Sequence, residues 1–238
     1  MKTKKKKLFC SFFICFCVFS CSFQVNAQSK QDGRPLDEIK LAEQIPEANL
    51  STISTEMLIQ EYLDSRYPGY ILIYNYIHNA FEHAYNDFNG LRELLKRRDA
   101  SQKLIEFYQR MDPAAYESSW DNVEKGAFTF SFVFIEVLIS HESILEKMTK
   151  SEVKTFLNEL LKKNEFKINH PEIFSIVSIQ FNTYSIARLL EFKGKGNSIS
   201  EALSKSPGVK HLLKTGQLQN NDVLNLVIQK AKEFLNIY

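Results

Sequence analysis

The stretch GAFTFSFVFIEVLIS, residues 126–140, decides the fold, because it carries two incompatible patterns at once. Phe128, Phe130, Phe132 and Phe134 alternate with smaller residues, as on one face of a β-strand. The apolar run continues past them for more than a dozen residues without internal proline, which exceeds the length of most strands. It also begins just after Asp121 and Glu124, whose spacing matches a capping box: a short polar side chain accepts from the backbone three residues on, and a Glu there reaches back. We therefore read a helix buried on nearly all sides.

The same start signal recurs along the chain. Asp99 with Gln102, Thr149 with Glu152, Asn169 with Glu172 and Ser198 with Glu201 share the spacing, and Asp112-Pro113 places a capping residue before a proline at the first helical position. Apolar residues follow at helical intervals. Val153, Phe156, Leu157, Leu160 and Leu161 form one stripe, Leu104, Ile105, Tyr108 and Met111 another, and Leu224, Val227, Ile228, Ala231 and Leu235 a third. Gly194 and Gly216 stand just beyond lysines, where helices should stop. A second strongly apolar segment, 171–193, is expected to pair with 126–140 at the centre of the core. Its Glu172, Gln180, Asn182, Arg188 and Glu191 exclude a membrane span there. The expected fold is all-α: a single domain over 54–238, built as an irregular orthogonal bundle of eight to ten helices, or as an α-solenoid whose repeats have degenerated beyond recognition.

The N-terminus reads differently. Five lysines precede an apolar stretch from Leu8 to about Phe19, and Val25-Asn26-Ala27 closes the segment with small residues at the positions signal peptidase requires. Cleavage after Ala27 would remove all four cysteines. It would also take five lysines from 30 basic residues, leaving 25 against 28 acidic ones, a net of −3. The basic balance of the whole chain therefore belongs to the targeting segment, and composition gives no case for nucleic acid. A competing reading takes Val18-Phe19-Ser20-Cys21 as a lipobox, with Cys21 lipidated and the protein held at a membrane by that lipid alone. Residues 28–53, polar and containing Gly33, Pro35 and Pro46, read as a tether or loosely packed arm.

Chemistry-bearing residues are sparse. His78 and Glu82 are four apart and could share a helix face, with His83 beside them, but no spacing supplies a third or fourth metal ligand. Glu136 sits within the Phe-rich helix, where a carboxylate is costly unless exposed or paired. It is expected on that helix's one wet stripe or against a buried arginine such as Arg188; unpaired, it could serve as a general acid or base. His141 and Glu142 fall at a helix junction. There is no P-loop, no G-x-G-x-x-G and no G-x-S-x-G elbow, so no cofactor is expected. Residues 62–85 hold six of the ten tyrosines. Tyr67, Tyr70, Tyr74 and Tyr76 are the binding candidates, since tyrosine offers an apolar face with a polar tip; the competing reading makes them core and junction residues, because Tyr70, Tyr74 and Ile77 share helical spacing.

The order Thr55-Glu56-Met57-Leu58, Tyr67-Pro68, Asn89-Gly90-Leu91-Arg92-Glu93-Leu94 and Arg97-Arg98-Asp99-Ala100 resembles a group of exported all-helical proteins from Bacteroides-type bacteria. The resemblance spans residues 54–113 and implies export and a helical fold; it carries no active site. Taken together, these readings favour an exported, non-catalytic interaction or accessory protein that meets a protein or glycan at the cell envelope. An envelope hydrolase using Glu136 or His78 with Glu82 is the main alternative, and a secreted effector or colonisation factor the third.

Overall fold

The structure, a computed structural model, describes residues 44–238. The expected signal segment 1–27, Cys21 and the arm up to residue 43 lie outside the described residues. Among those described there are thirteen α-helices, no strand and two 3-10 turns, Tyr67–Gly69 and Pro113–Ala115. The helices are α1 (Glu47–Leu50), α2 (Thr55–Asp64), α3 (Tyr70–Ile73), α4 (Ile77–Asp87), α5 (Asn89–Lys96), α6 (Ala100–Arg110) and α7 (Asn122–Ile139). They continue as α8 (Glu142–Leu145), α9 (Lys150–Asn169), α10 (Ile176–Lys193), α11 (Ser198–Lys205), α12 (Pro207–Thr215) and α13 (Asn221–Ile237). The all-α expectation holds. Ten helices run eight residues or longer, and the other three, α1, α3 and α8, are four-residue turns too short to show a periodic signal.

The alternating phenylalanines of α7 resolve into two helical rows. Phe128 packs edge-on to Phe132 at 5.3 Å, and Phe130 stacks on Phe134 at 6.0 Å, so the period-2 pattern is two interleaved i, i+4 pairs. The first row meets the Phe174 ring at 6.1 and 5.7 Å, and Trp120 closes over Phe128 at 5.2 Å. Asp121 and Glu124 make both halves of the capping box that starts the helix.

Helix α10 occupies the middle of the molecule, packed on α7, α9, α11, α12 and α13. It is buried on nearly every side, which suits its many small side chains: Ser178, Thr183, Ser185 and Ala187 let neighbouring helices approach. Helix α6 bridges α7 and α9, while α2 and α5 pack beside it, and α4 packs on α3, α5 and α12. One continuous apolar core runs from Ile45 to Phe234.

Several boundaries differ from expectation. Thr149 and Glu152 form the second complete capping box, on α9. Asp99 does not cap α6; its carboxylate instead accepts from Thr55 Oγ1 at 2.8 Å, tying α6 to α2. Asn169 is the last residue of α9, so Asn169 and Glu172 start nothing, and Pro171 opens a turn that delays α10 to Ile176. The cap of α11 is Asn197, one residue before Ser198. Asp112 caps only the short turn that Pro113 begins. Residues 44–53, expected to belong to the arm, are docked. Asn89 exchanges two hydrogen bonds with the Ile45 backbone, at 3.0 and 2.7 Å, and Arg97 donates to Leu50 O at 2.7 Å.

Candidate functional site: a donor-lined cleft beside a sealed ion pair

Two groups of polar side chains lie close together in the fold but differ entirely in access to water. The first is buried between α6, α7, α9 and α10. Glu136 is fully buried and accepts from Lys167 Nζ at 2.8 and 2.9 Å, from Tyr108 Oη at 2.5 Å and from Asn182 Nδ2 at 2.9 Å. Asn182 in turn accepts from Asn164 Nδ2 at 2.7 Å. The expectation of a wet stripe or an Arg188 partner is thus corrected. The partner is Lys167, also fully buried, whose ammonium sits 5.5 and 5.8 Å from the Phe132 and Phe174 rings. Lys163 and Lys167 are four apart on α9, but only Lys167 reaches the interior carboxylate; Lys163 pairs with Glu159 at 2.7 Å and lies over the Tyr108 ring. Burial lowers the Lys167 ammonium pKa, an effect that the Glu136 charge opposes. Burial, reinforced by the neighbouring carboxylate, pushes the Tyr108 phenol well above its ordinary value.

The second group lines an open cleft of about 360 Å³ where α4, α7, α8, α10 and α12 meet. Helix α4 supplies its first turn: Ile77, His78, Asn79 and Phe81, preceded by Tyr76 in extended conformation. The α7–α8 junction supplies Ser140, His141 and Glu142, and α10 supplies Tyr184 and Arg188, four apart and so on one face. Leu213 and Lys214 come from the last turn of α12. That turn reaches the cleft because Gly216 ends α12 in the left-handed conformation, φ 74°. A Cβ there would lie 2.8 Å from Phe181 and 2.9 Å from Ile77, so only glycine lets α12 close onto α4 and α10.

Within the cleft the polar groups differ in how they are held. His141 Nδ1 accepts from the Ser143 N–H at 3.2 Å, which caps α8 and leaves the ring proton on Nε2. Its ring packs edge-on against Phe81 at 4.8 Å. Burial, with Arg188, His78 and Lys147 adding positive charge nearby, lowers the His141 pKa to about 4, so the imidazole is neutral at pH 7. Arg188 donates to Glu191 at 2.6 Å and to Glu142 at 3.3 Å. The Lys214 ammonium stands 4.7 Å over the Tyr76 ring. Tyr184 is 5% exposed, and burial raises its phenol to about 12.

The tyrosine candidates separate in the same way. Tyr67 is fully buried and stacked on Phe88 at 5.1 Å, so its ring has no surface to offer a ligand. Tyr70 is half-buried, edge-on to Tyr67 and donating to Asp87 at 3.2 Å. Tyr74 is half-buried and stacked on His83 at 4.5 Å. Tyr76 alone of the four reaches the cleft, at 40% exposure. The chain turns extended at Tyr74 and Tyr76, which breaks the helical spacing assumed for Tyr70, Tyr74 and Ile77. His78 lines the cleft while Glu82 is exposed and outside it. Among the described residues no group of three or more His, Cys, Asp or Glu side chains is placed to hold a metal ion, and no helix is long and apolar enough to cross a membrane.

No family model, curated protein or solved structure matches the chain. Tyr184, Arg188 and Lys214 escaped the sequence reading as site residues. The i, i+4 spacing of Tyr184 and Arg188 was visible, but their joint position depends on the α12 turn at Gly216.

Proposed function

We propose that the protein is an exported, non-catalytic interaction protein of the bacterial cell envelope, and that the cleft is where it meets its ligand. The observation that carries this reading is the separation just described. The carboxylate best suited to acid–base chemistry, Glu136, is sealed and fully engaged by Lys167, Tyr108 and Asn182. The accessible cleft, by contrast, offers hydrogen-bond donors, and the serine in its lining, Ser140, donates to the Glu136 backbone carbonyl rather than to a base. Nucleophilic catalysis requires a nucleophile and a base within hydrogen-bond reach. Export is supported by the basic, apolar and small-residue order of residues 1–27 and by the resemblance over residues 54–113.

Two measurements test the proposal. Mass spectrometry of the native N-terminus with detergent partitioning should give a chain beginning at Gln28 in the aqueous phase; a chain beginning at lipidated Cys21 would move the protein to a membrane surface, and an uncleaved chain would defeat export. Turnover assays on a panel of envelope peptides, glycans and esters should give rates no higher than buffer. Turnover lost on substituting Arg188 or His141 would make the protein a hydrolase.

A further inference from the structure

The cleft's chemistry is specific enough to name a ligand class. Tyr184 is almost wholly buried, yet its hydroxyl has no hydrogen-bond partner among the described residues and is not among the buried atoms shut away from solvent. Its Oη therefore keeps some contact with solvent, and Tyr184 lines the cleft. His141 has Nδ1 engaged by the Ser143 N–H, so its remaining nitrogen is a donor, and that Nε2 likewise has no partner among the described residues. Arg188 lies one helical turn from Tyr184, and Lys214 faces them from α12. Three donor groups and an ammonium thus line one cleft, against a single carboxylate in the lining, that of Glu142. Burial is the main cause of the lowered His141 pKa, and the positive charges of Arg188, His78 and Lys147 add to it. The rest of the wall sets the apolar Ile77, Phe81, Leu213 and Tyr76 ring beside the neutral polar side chains of Asn79 and Ser140 and the His78 imidazole.

We propose that the cleft binds a carboxylate borne on a compact apolar body, the carboxylate accepting from Tyr184, His141 and Arg188 and the body resting on Ile77, Phe81 and Leu213. The inference rests on the binding reading above. The cleft volume of about 360 Å³ lies at the small end of ligand pockets, which fits a single ring or short aliphatic chain rather than a polymer segment. A charge-assisted, forked contact with Arg188 would displace Glu142, whose 3.3 Å bond is the weaker of the two that Arg188 makes and whose side chain is 60% exposed. Glu142 is thereby a built-in competitor for the ligand.

Calorimetric titration of the full chain with 4-phenylbutyrate, 4-phenylbutyramide and 4-phenylbutylamine tests this. The acid should bind at least tenfold more tightly than the amide, and the amine least. Tyr184→Phe, which keeps the ring and removes the hydroxyl, should weaken the acid five- to tenfold and leave the amide unchanged. Glu142→Gln should tighten the acid several-fold, whereas a cleft selecting cations would lose affinity with that substitution. Lys214→Gln, on the exposed rim, gives a variant that does not depend on core packing and should weaken the acid two- to fivefold, with Lys205→Gln as a remote control. N-acetyl-Ala-Phe as free acid and as amide distinguishes a chain terminus from a free small acid as the source of the carboxylate. Equal binding of acid and amide, failure of the acid to bind at millimolar concentration, or preference for the amine would each overturn the proposal while leaving a non-catalytic binding protein intact. Hydrolysis of 4-nitrophenyl butyrate lost in Tyr184→Phe would instead overturn the non-catalytic reading.

Discussion

Replacing Lys167 with methionine should be among the most damaging single substitutions in this protein, although methionine is nearly as long and the site is walled by Phe132 and Phe174. The loss is electrostatic. Glu136 would keep its bonds from Tyr108 and Asn182 but remain a fully buried carboxylate with no counter-charge. Breaking one side of a buried pair costs about 3–5 kcal/mol, a large part of the 5–15 kcal/mol that typically holds a domain together. Glu136→Gln should cost somewhat less, because an unpaired lysine can shed its proton and burial already favours the neutral form. The double variant Glu136→Gln/Lys167→Met removes both charges. Its glutamine Oε1 can still accept from Tyr108 and Asn182, leaving the two N–H donors of its amide nitrogen unpaired, a group whose burial costs about 1–3 kcal/mol. The double variant should therefore lie about 1–3 kcal/mol below the wild type and several kcal/mol short of the sum of the two single losses. Urea unfolding followed by far-ultraviolet circular dichroism, with an unchanged slope against denaturant, supplies the four free energies. Additive losses, or a cost below about 1 kcal/mol for Lys167→Met, would show that water reaches the carboxylate and would refute the sealed pair.

Other expectations follow from single sites. His141 has a folded pKa of about 4 against an ordinary 6.5, so between these values the unfolded chain binds the proton that the native protein refuses, and stability falls as pH drops through that window. His141→Asn keeps an acceptor for the Ser143 N–H; between pH 7 and pH 4 it should lose about 2–3 kcal/mol less stability than the wild type in urea titrations, and parallel losses would contradict the assignment. Gly216→Ala must hold a Cβ at positive φ against Phe181 and Ile77, and should lower stability by about 2–4 kcal/mol, read as a fall in Tm; an unchanged Tm would show that α12 does not close as described. Thr149→Ala removes one half of the α9 capping box and should cost about 1 kcal/mol in the same urea assay, with no loss implying that the box contributes nothing.

Much of the architecture was legible because it is written locally. The two complete capping boxes, at Asp121 and Thr149, and the helix ends at Gly194 and Gly216 depend on residues within a few positions of one another. The false starts show where that logic stops. Asp99 has the spacing of a cap, but Thr55, distant in sequence, claims its carboxylate; Asn169 is held inside α9 because Asn164 and Lys167, just before it, are committed to the core. The partner of Glu136 was misassigned for a related reason. Lys167 stands in the run Lys162, Lys163, Asn164, Glu165, Phe166, Lys167, where nothing in the sequence marks one lysine as interior. The cleft was less legible still. His78, His141 and Glu142 were noticed singly, yet they are gathered by helix packing across the junction of five elements.

The doubled pattern of α7 has a consequence for the chain before it folds. Residues 126–135 alternate phenylalanine with small or β-branched residues and contain neither charge nor proline, the composition that favours cross-β self-association when extended. Lys125 and Glu136 bracket this run. Like charges stacked in register resist fibril growth, so Glu136 acts as a gatekeeper in the unfolded chain. The burial of that carboxylate, a burden on the native state met by Lys167, leaves the nascent protein a guard against aggregation at its most hazardous segment. Replacing the pair with a wholly apolar core could yield a sturdier fold that far fewer chains survive to reach.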